Sequence, residues 1–528
     1  MTQWNAERLR RTLATFYGGD EIVVLANREP FRHDLDDSGN IVVRRSAGGL
    51  VTALEPVIRA SSGVWVAHGS GTADRIMVDE RDGLDVPPAK PQYRLRRVWL
   101  DRDEERHYYD GFANEGLWPL CHRAHVRPVF RLDDFEAYRS VNGRFAEAVC
   151  DEVHTDRPLV LVQDYHFALA PEMIRNRMPL STIIAFWHIP WPNPHDYAIC
   201  PWGHRLLRGL LASTIVGFQT QDNCGNFLDT VECTLDAQID RRRGAVIADG
   251  HSTIVRAYPV SIEWRNRWVR RSPAVEVCRA AIRRQLGLPA DIRLGIGIDR
   301  LDYTKGVDEK FLAVERLLDL HPKLRERFVF VQIAEPSRVC LPAYRELRSR
   351  IGGTADRVNR RFGTDGYRPI VLLETHHEPA DVYRFLRAAD VCYVGSIHDG
   401  MNLVAKEFVC ARDDGRGVLI LSQFAGAARQ LTAALIVNPY EVDACAQTLA
   451  RALDMSDDEQ SSRMDAMRSI VAHSDTYRWA GRMLADAARL RKSRPTTVSH
   501  QVRSWLPETE TASPMTQAVT DFLPYCAK

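Results

Sequence analysis

The stretch 398–407, with the sequence HDGMNLVAKE, combines residue types that could together hold a nucleotide sugar. It follows a short apolar strand candidate, and Gly400 would permit a tight turn before a helix. The backbone N–H groups at the start of a helix have no partner inside it and suit a diphosphate. The N–H groups expected here belong to Met401, Asn402, Leu403 and Val404. Glu407 could accept from two ribose hydroxyls one turn into the helix, and Asp399 would lie beside the sugar.

The stretch 297–306 supplies the opposite charge, with Arg300 and Lys305 five residues apart between a strand candidate and a helix. The guanidinium could chelate phosphate oxygens while the ammonium adds a compact charge. Together they could neutralise a departing nucleoside diphosphate without a metal. Two other interpretations stay open: the first stretch is only a capped core helix, or Arg300 pairs with Asp299 or Asp302.

The first half of the chain carries polar residues where strand candidates end. Arg28 follows the first strand candidate, and Asp164 and His188 follow two later ones. Asp164 could orient or deprotonate an acceptor hydroxyl, and His188 could bind the donor sugar or be a satisfied core histidine. The glycine pair Gly48 and Gly49 would let the backbone approach a ligand closely, although most such pairs only form turns.

An aromatic stretch at 108–119 fits neither the helical nor the strand period. Tyr109 and Trp118 could cover a sugar face, or the stretch could be a loop packed on the core. Arg338, after a strand candidate of the second half, could be a further anion clamp. No metal site is predicted, because the acidic pair in 101–103 lies in a solvated charge run and the histidines lack zinc-like spacing.

Short apolar runs alternate with helical patterns along most of the chain, which is typical of parallel sheets with helices on both faces. The strand candidates are 21–26, 64–67, 159–163, 182–187 and 214–218 in a first set, and 293–298, 328–333, 370–373, 391–395, 418–421 and 434–437 in a second. They predict an α/β fold of two doubly wound Rossmann-like domains with an interdomain cleft. The expected units are domains at 1–262 and 263–475, a helix at 476–492 packing back on the first domain, and a mobile tail at 493–528.

Composition narrows the class of protein further. The 528 residues are 45% hydrophobic and 26% charged, as in soluble globular proteins. With 70 Lys and Arg against 69 Asp and Glu, no overall charge favours nucleic acid or an anionic membrane. The 11 cysteines form no Cys-x-x-Cys pair, which favours a reducing cytoplasm, and no apolar run approaches the ~18 residues that span a bilayer. The sequence leaves assembly into a homo-oligomer open.

Seven motifs in this order resemble the trehalose-6-phosphate synthase family of retaining glucosyltransferases, whose two-domain arrangement is called GT-B. The resemblance covers about 21–489. The motifs are NR at 27–28, SAGGL at 46–50, DYH at 164–166, HIPWP at 188–192, RLDYTKG at 300–306, DGMNLVAKE at 399–407 and LSQFAGAA at 421–428. The family joins glucose from a nucleoside diphosphate glucose, here expected to be UDP-glucose, to glucose 6-phosphate without a metal or cofactor. The departing phosphate takes the acceptor proton, so electrostatic stabilisation is the main catalytic effect.

The resemblance assigns a role to each candidate residue. The implied donor contacts are Arg300 and Lys305 on the diphosphate, Glu407 on the ribose, Asp399 and His188 on the glucose, and Gly48 and Gly49 close by. The implied acceptor contacts are Arg28, Tyr109, Trp118 and Arg338 on the phosphate and Asp164 near the reacting hydroxyl. Asp164, His188, Arg300 and Lys305 are the expected catalytic set.

Two departures from the family pattern are expected to border the ligands. His68 stands where the family usually has Trp, and His398 stands where it commonly has Arg. They leave two alternatives open: a glucosylglycerol-phosphate synthase acting on glycerol 3-phosphate, which the Arg28-Glu29-Pro30 sequence also resembles, and a catalytically silent sugar-phosphate sensor. A nicotinamide dehydrogenase fits poorly, because no Gly-x-Gly-x-x-Gly follows the first strand candidate.

Overall fold

The computed structural model describes residues 4–45 and 49–493, which form two large sheets covered by helices. The strands are β1 (Ile22–Leu25), β2 (Phe31–Leu35), β3 (Ile41–Arg45), β4 (Val64–His68), β5 (Gly83–Val86), β6 (Tyr93–Val98), β7 (Leu159–Gln163), β8 (Thr182–Phe186), β9 (Ile215–Phe218), β10 (Gln238–Asp240), β11 (Ala245–Ala248), β12 (His251–Ala257), β13 (Arg293–Arg300), β14 (Phe328–Glu335), β15 (Ile370–Leu373), β16 (Val391–Val394), β17 (Val418–Ser422) and β18 (Leu435–Val437).

The helices lie mainly between consecutive strands. They are α1 (Ala6–Tyr17), α2 (Gly49–Ser61), α3 (Arg102–Glu104), α4 (Trp118–His122), α5 (Leu132–Asp151), α6 (Ala170–Arg177), α7 (Pro194–Tyr197), α8 (Gly203–Leu211), α9 (Gln221–Thr234), α10 (Arg267–Arg271), α11 (Val275–Gln285), α12 (Val307–Leu320), α13 (Pro342–Phe362), α14 (Pro379–Ala388), α15 (Leu403–Ala411), α16 (Val442–Leu453), α17 (Asp457–His473) and α18 (Thr476–Ser493). All eleven predicted strands are present, and their ends differ from the predicted ones by at most two residues.

The first sheet has ten strands in the order β10-β11-β12-β9-β8-β7-β1-β4-β6-β5. Its central strands β1, β7, β8 and β9 are buried along their whole length, which explains their uninterrupted apolar sequences. The chain runs outward from β1 through β4 on one side and through β7 on the other, so the strand order reverses there. Arg28 and Asp164 follow β1 and β7, and they therefore lie at a topological switch point, where such sheets bind ligands.

The second sheet has six parallel strands in the order β15-β14-β13-β16-β17-β18. The order reverses at β13, which pairs with β14 on one side and β16 on the other. The stretches after β13 and β16 are 301–306 and 395–402, so the two sequences richest in candidate residues meet at this second switch point.

Two antiparallel hairpins with Asp- and Gly-containing turns belong to different sheets. The turn at 36–40 joins β2 to β3, which form a separate two-stranded sheet. The turn at 249–250 joins β11 to β12, and β12 pairs with β9, so this hairpin extends the edge of the ten-stranded sheet.

The aromatic stretch is helical, not a packed loop. Glu105–Leu117 forms a π-helix that runs directly into α4. Its hydrogen bonds join residues five apart, and its buried residues follow neither the α-helical nor the strand period. They are Tyr108, Gly111, Phe112, Ala113, Asn114, Gly116 and Leu117. This wider period explains why the sequence matched neither an α-helix nor a strand.

The last helix returns to the first sheet. Thr476, at the start of α18, donates through Oγ1 to the carbonyl of Ala53 at 2.8 Å, and the hydroxyl of Tyr17 donates to the carbonyl of Leu484 at 2.8 Å. The chain therefore crosses between the two sheets twice, at 258–266 and again just before α18. The predicted tail at 493–528 lies outside the described residues apart from Ser493, and the boundaries at 262 and 475 stay predictions.

Candidate active site

A cavity of about 960 Å³ lies between the carboxyl ends of the two sheets and is lined from both sides. The candidate residues that line it are Arg28, Gly49, Tyr109, Trp118, Asp164, His188, Arg300, Lys305, Arg338, Asp399, Met401, Asn402, Leu403, Val404 and Glu407. Gly400 does not line the cavity but packs against the backbone of His188 and Ile189, which do. Gly48 lies outside the described residues. The structure thus brings candidates from many separate stretches of the chain to one place.

The acidic residues beside Arg300 are both occupied elsewhere. Asp299 pairs with the buried Lys310, and Asp302 pairs with Arg338 at 3.1 Å. Arg300 itself forms no ion pair with any carboxylate in the described part of the chain, and its guanidinium lies 5.5 Å from the ring centre of Trp118. The interpretation that Arg300 pairs with Asp299 or Asp302 is therefore wrong, and its charge is available to a ligand.

Lys305 and Asp399 form a pair across the second switch point. The Nζ atom of Lys305 lies 2.6 Å from Oδ2 of Asp399, which also accepts from the side chains of Asn402 and Ser396 at 3.2 Å. Burial would raise the pKa of Asp399, but the charge of Lys305 and the hydrogen bonds outweigh it and the pKa is lowered. An ionised Asp399 thus holds Lys305 beside Arg300, where the two cations face one anion.

The helix α15 offers its first turn to the cavity. Asn402 caps it with φ 71°, and its side chain accepts from the N–H of Ala405 at 3.1 Å. Leu403 and Val404 both line the cavity, and the N–H groups of a first helical turn have no partner inside the helix. One turn on, burial raises the pKa of Glu407 to about 7. Its carboxylate lines the cavity and forms no ion pair with a described basic residue, as expected of a group that receives ligand hydroxyls.

Donor affinity is expected to depend on the ionisation of Glu407. Below pH 7 the carboxyl is protonated and cannot accept from two ribose hydroxyls, so the nucleoside diphosphate should bind about tenfold more weakly at pH 6 than at pH 8. Calorimetric titration of the native protein and of Glu407→Gln measures this pH dependence. Comparing the two removes the effect of the ligand's own ionisation, which is the same for both proteins. A pH dependence as steep in Glu407→Gln as in the native protein would contradict the assignment.

Protein stability should respond to pH in the opposite direction. Because the folded pKa of Glu407 is raised above 4.5, keeping the buried carboxylate ionised destabilises the fold above pH 7, and this cost disappears as the pH falls towards 4.5. Glu407→Gln should therefore melt at a higher temperature than the native protein at pH 8, with a smaller difference at pH 5.

Two glycines in the site are required by close packing between the domains. A Cβ atom on Gly400 would lie 2.0 Å from the carbonyl oxygen of His188, and one on Gly49 would lie 2.8 Å from Cδ1 of Leu403. Gly400 is not among the glycines with a positive φ, so close packing and not a left-handed backbone requires a glycine here. Its lack of a side chain lets the loop before α15 touch the backbone after β8.

His188 is held by two glutamines that the sequence interpretation missed. Its Nε2 lies 2.9 Å from Oε1 of Gln163, and its Nδ1 lies 3.4 Å from Nε2 of Gln219. Burial lowers the pKa of His188 to about 3, so the ring is neutral. With Nε2–H donating to Gln163, the acceptor left for a ligand hydroxyl is the Nδ1 lone pair, which Gln219 contacts only at 3.4 Å. Gln219 directly follows β9, and the same rule of polar residues after buried strands could have found it.

Asp164 occupies the end of β7 in a strained conformation. Its φ is 74°, and its Oδ1 accepts from the N–H groups of Tyr165 at 3.0 Å and His188 at 3.1 Å. Burial raises the pKa of Asp164 to about 7 against the lowering effect of these bonds. The carboxyl group thus ties two strand ends together at the cavity wall, and backbone strain of this kind clusters at functional sites.

Three arginines lie near Tyr109 in the cavity. Burial would raise the pKa of the Tyr109 hydroxyl, but the charges of Arg338, Arg28 and Arg300 lower it below its usual value. Burial and the same three cations lower the pKa of His166, whose ring stacks on that of Tyr109 with centres 5.6 Å apart. A pocket with three guanidinium groups and a neutral histidine is suited to a phosphate.

Arg338 differs from the other two arginines because it already has partners. Beyond Asp302, its Nη2 donates to the hydroxyl of Tyr165 at 3.2 Å, and its guanidinium lies 4.1 Å from the ring centre of Trp118. The indole of Trp118 in turn donates to Asp302 at 3.4 Å. These contacts cross the cleft, so Arg338 joins the two domains as well as lining the phosphate pocket.

The two residues that depart from the family pattern lie outside the cavity lining. His68, at the end of β4, contacts the carbonyl of Val98 through Nδ1 at 3.1 Å. His398 stacks on Phe424 with ring centres 5.2 Å apart. Neither is among the residues that line the cavity, and the expectation that both border the ligands stays a prediction.

Neither a membrane span nor a metal centre occurs among the described residues. No helix among them is long and apolar enough to span a bilayer. No group of three or more His, Cys, Asp or Glu side chains in 4–45 and 49–493 is arranged to hold a metal ion.

The two Rossmann-like domains, with a cation-lined cavity between their switch points, have the arrangement of a glycosyltransferase of the GT-B class, as the sequence predicted. The model of glycosyltransferase family 20 matches residues 20–489. The chain therefore belongs to glycosyltransferase family 20 and is a glycosyltransferase.

Individual relatives agree with this classification. The trehalose-6-phosphate synthase of Mycobacterium avium is 36% identical over 478 residues, covering 88% of this chain and 94% of the relative. A solved structure described as trehalose-6-phosphate from E. coli bound with UDP-2-fluoro glucose has a TM-score of 0.79 and 30% identity, covering 89% of this chain and 99% of that one. An α,α-trehalose-phosphate synthase of Burkholderia xenovorans in complex with glucose-6-phosphate has a TM-score of 0.78 and 29% identity, covering 88% and 99%.

Proposed function

We propose that the protein transfers glucose from UDP-glucose to glucose 6-phosphate and forms α,α-trehalose 6-phosphate with retention. The observation that carries the proposal is a single cavity that is lined by Arg28 and Arg338 beside Tyr109 and also by Lys305 and α15, with Arg300 near both groups. The second group suits a nucleoside diphosphate and the first suits a phosphorylated acceptor. The similarity to trehalose-6-phosphate synthases of Mycobacterium avium and Burkholderia xenovorans supports the choice of substrates.

In the proposed reaction the bond between the anomeric carbon and the phosphate oxygen breaks as the acceptor oxygen bonds to the same face of that carbon. The acceptor proton passes to the departing phosphate, so no enzyme nucleophile is needed. Arg300 and Lys305 stabilise the charge that develops on the diphosphate. Glu407 binds the ribose, and Asp399 and His188 bind the glucose.

The acceptor groups complete the proposed site. Arg28, Tyr109 and Arg338 hold the acceptor phosphate, and Trp118 supports Arg338 by stacking. Asp164 lies near the reacting hydroxyl and keeps the ends of β7 and β8 together. No cofactor takes part in this scheme. We also propose a cytoplasmic location, supported by the unpaired state of the cysteines in the described residues.

A matrix of donors and acceptors tests the proposal. UDP-, ADP- and GDP-glucose are each incubated with glucose 6-phosphate, glycerol 3-phosphate or glucose, and products are identified by NMR. Formation of the α,α-1,1 linkage only with glucose 6-phosphate is expected. Transfer to glycerol 3-phosphate alone would overturn the acceptor assignment, and ligand binding without transfer for any pair would indicate a sensor.

Two sequence features favoured the alternatives, a glucosylglycerol-phosphate synthase and a sugar-phosphate sensor, and neither lines the cavity beyond Arg28. Glu29 does not line the cavity; its carboxylate pairs with the buried Arg97 and accepts from Ser70 at 2.7 Å. The Arg28-Glu29-Pro30 sequence therefore brings only Arg28 to an acceptor. His68 and His398, which motivated the sensor, are not among the residues that line the cavity.

Arg28→Ala is expected to act on the acceptor phosphate alone. Arg28 is exposed to the cavity and forms no ion pair with another described residue, so its loss should raise the KM for glucose 6-phosphate about tenfold or more with a smaller change in kcat. The decisive measurement is the ratio of kcat/KM for glucose 6-phosphate to that for glucose, which should fall by a similar factor. Arg32→Ala, which removes a surface cation paired with Asp34, is the control. An unchanged ratio in Arg28→Ala would remove Arg28 from the phosphate site.

A further inference from the structure

The segment 258–266 links the two domains and lies against the cavity. Its Val260 is buried, and side chains from opposite domains hold both of its backbone groups. The N–H of Val260 donates to Oε1 of Gln219 at 2.9 Å, and its carbonyl accepts from Nζ of Lys406 at 2.5 Å. Gln219 follows β9 in the first sheet, whereas Lys406 lies in α15.

The contact with Val260 determines how Gln219 faces His188. A backbone N–H can only donate, so the amide oxygen of Gln219 must face Val260 and its NH₂ group must face the other way. That NH₂ group lies 3.4 Å from both Nδ1 and the carbonyl oxygen of His188. A continuous path of polar contacts therefore runs from Lys406 through Val260 and Gln219 to the histidine that faces the donor sugar.

Lys406 is a buried lysine whose amine has a single hydrogen-bond partner among the described residues, which is unusual. It is only 1% exposed, and within the described residues its Nζ has one hydrogen-bond partner, the carbonyl of Val260. Burial lowers its pKa to about 7, and a neutral amine would still donate to that carbonyl. Burying an amine is unfavourable compared with an apolar side chain of similar size, so packing alone does not explain a lysine here.

We propose that Lys406 is a positioning residue for glucose transfer. Through Val260 and Gln219 it holds the ring of His188 in the orientation that contacts the donor glucose. The helix that binds the nucleotide and the histidine that binds the sugar are thereby coupled across the domain linker. The inference rests on the proposed function, which places the donor glucose at His188.

A double-mutant cycle in binding tests this coupling without requiring turnover. Dissociation constants for UDP and UDP-glucose are measured by calorimetry for the native protein, Lys406→Met, His188→Ala and the double variant. Lys406→Met should leave the UDP constant within about twofold and raise the ratio of the UDP-glucose constant to the UDP constant about three- to tenfold. In the His188→Ala background the same substitution should change that ratio by less than about twofold, because the sugar contact is already lost.

Two further variants keep the test decisive. Gln219→Leu breaks the path at its other link and should raise the ratio as Lys406→Met does, which covers the case in which Lys406→Met does not fold. Arg387→Met is the control, since Arg387 is also buried and donates to a backbone carbonyl, that of Ala411 at 2.9 Å, but makes no contact with Val260 or Gln219 among the hydrogen bonds of the described residues; it also pairs with Asp413. It should lower the melting temperature and leave the ratio unchanged.

Different failures have different meanings. An unchanged ratio in both Lys406→Met and Gln219→Leu, or an equal change with and without His188, would overturn the inference while leaving the proposed function intact. Failure of the native protein to bind UDP-glucose would overturn the proposed donor and the inference with it.

Discussion

Arg300→Ala is expected to lower kcat about 1,000-fold. Arg300 has no carboxylate partner in the described part of the chain, because Asp299 is taken by Lys310 and Asp302 by Arg338. Its charge is therefore available to the departing diphosphate of the proposed reaction, and removing a preorganised donor of this kind costs about 100- to 1,000-fold in rate. Lys305 is not expected to compensate, since its ammonium group is already paired with Asp399 at 2.6 Å.

The stability of Arg300→Ala separates this role from a structural one. Arg300 lies near Arg28 and Arg338, as their shared effect on Tyr109 shows, so removing it relieves repulsion between like charges. The melting temperature should stay the same or rise while activity is lost. Arg361→Ala, which removes an exposed arginine paired with Glu315 and Asp319, should leave kcat unchanged. A steady-state assay that found Arg300→Ala within about threefold of the native kcat would contradict the assignment.

Gly400→Ala is expected to lower kcat about 100-fold by preventing the domains from meeting. The added Cβ would lie 2.0 Å from the carbonyl oxygen of His188 and 3.3 Å from Cα of Ile189, and both belong to backbone that no rotamer change can move. The first domain must retreat from the loop before α15, and a displacement of about 1 Å in a site can cost about 100-fold in rate. UDP binding should change less, because most of its contacts lie in the second domain.

Scattering and a matched glycine test the cause of that loss. Gly400→Ala should have a larger radius of gyration than the native protein when both are saturated with UDP and glucose 6-phosphate. Gly353→Ala adds the same methyl group to an exposed helical position with nothing within 4 Å, so it should raise the melting temperature slightly and leave kcat unchanged. A compact Gly400→Ala protein with native kcat would show that this contact does not control catalysis.

Most strands of the second sheet and the candidate binding residues at its edge could be predicted from local sequence. The strands β13 and β16 are buried apolar runs, and polar residues that follow such strands lie at one edge of a parallel sheet. That rule is sufficient to locate Arg300, Lys305 and Asp399 from the sequence. It applies equally to Gln219, which directly follows β9, so the signal for this missed residue is present in the sequence as well.

Other features were not accessible from local patterns. The π-helix at 105–117 has a period that the two usual templates do not contain. The reason for a glycine at 400 is a backbone contact with His188 in the other domain. The positions of His68 and His398 outside the cavity lining depend on how strand ends and loops pack.

By itself, the sequence determined the alternation of strands and helices, the switch points and the residue types gathered there. Short apolar runs and the polar residues that end them are local features, so they can be recognised without knowing the tertiary structure. The tertiary structure alone decided which charges are neutralised and which face the ligand. Asp302 pairs with Arg338, 36 residues away, and so leaves Arg300 without a carboxylate partner in the described chain. Coulombic pairing depends on distance in space, and only the packing of two domains brings Arg28, Arg300 and Arg338 around one tyrosine.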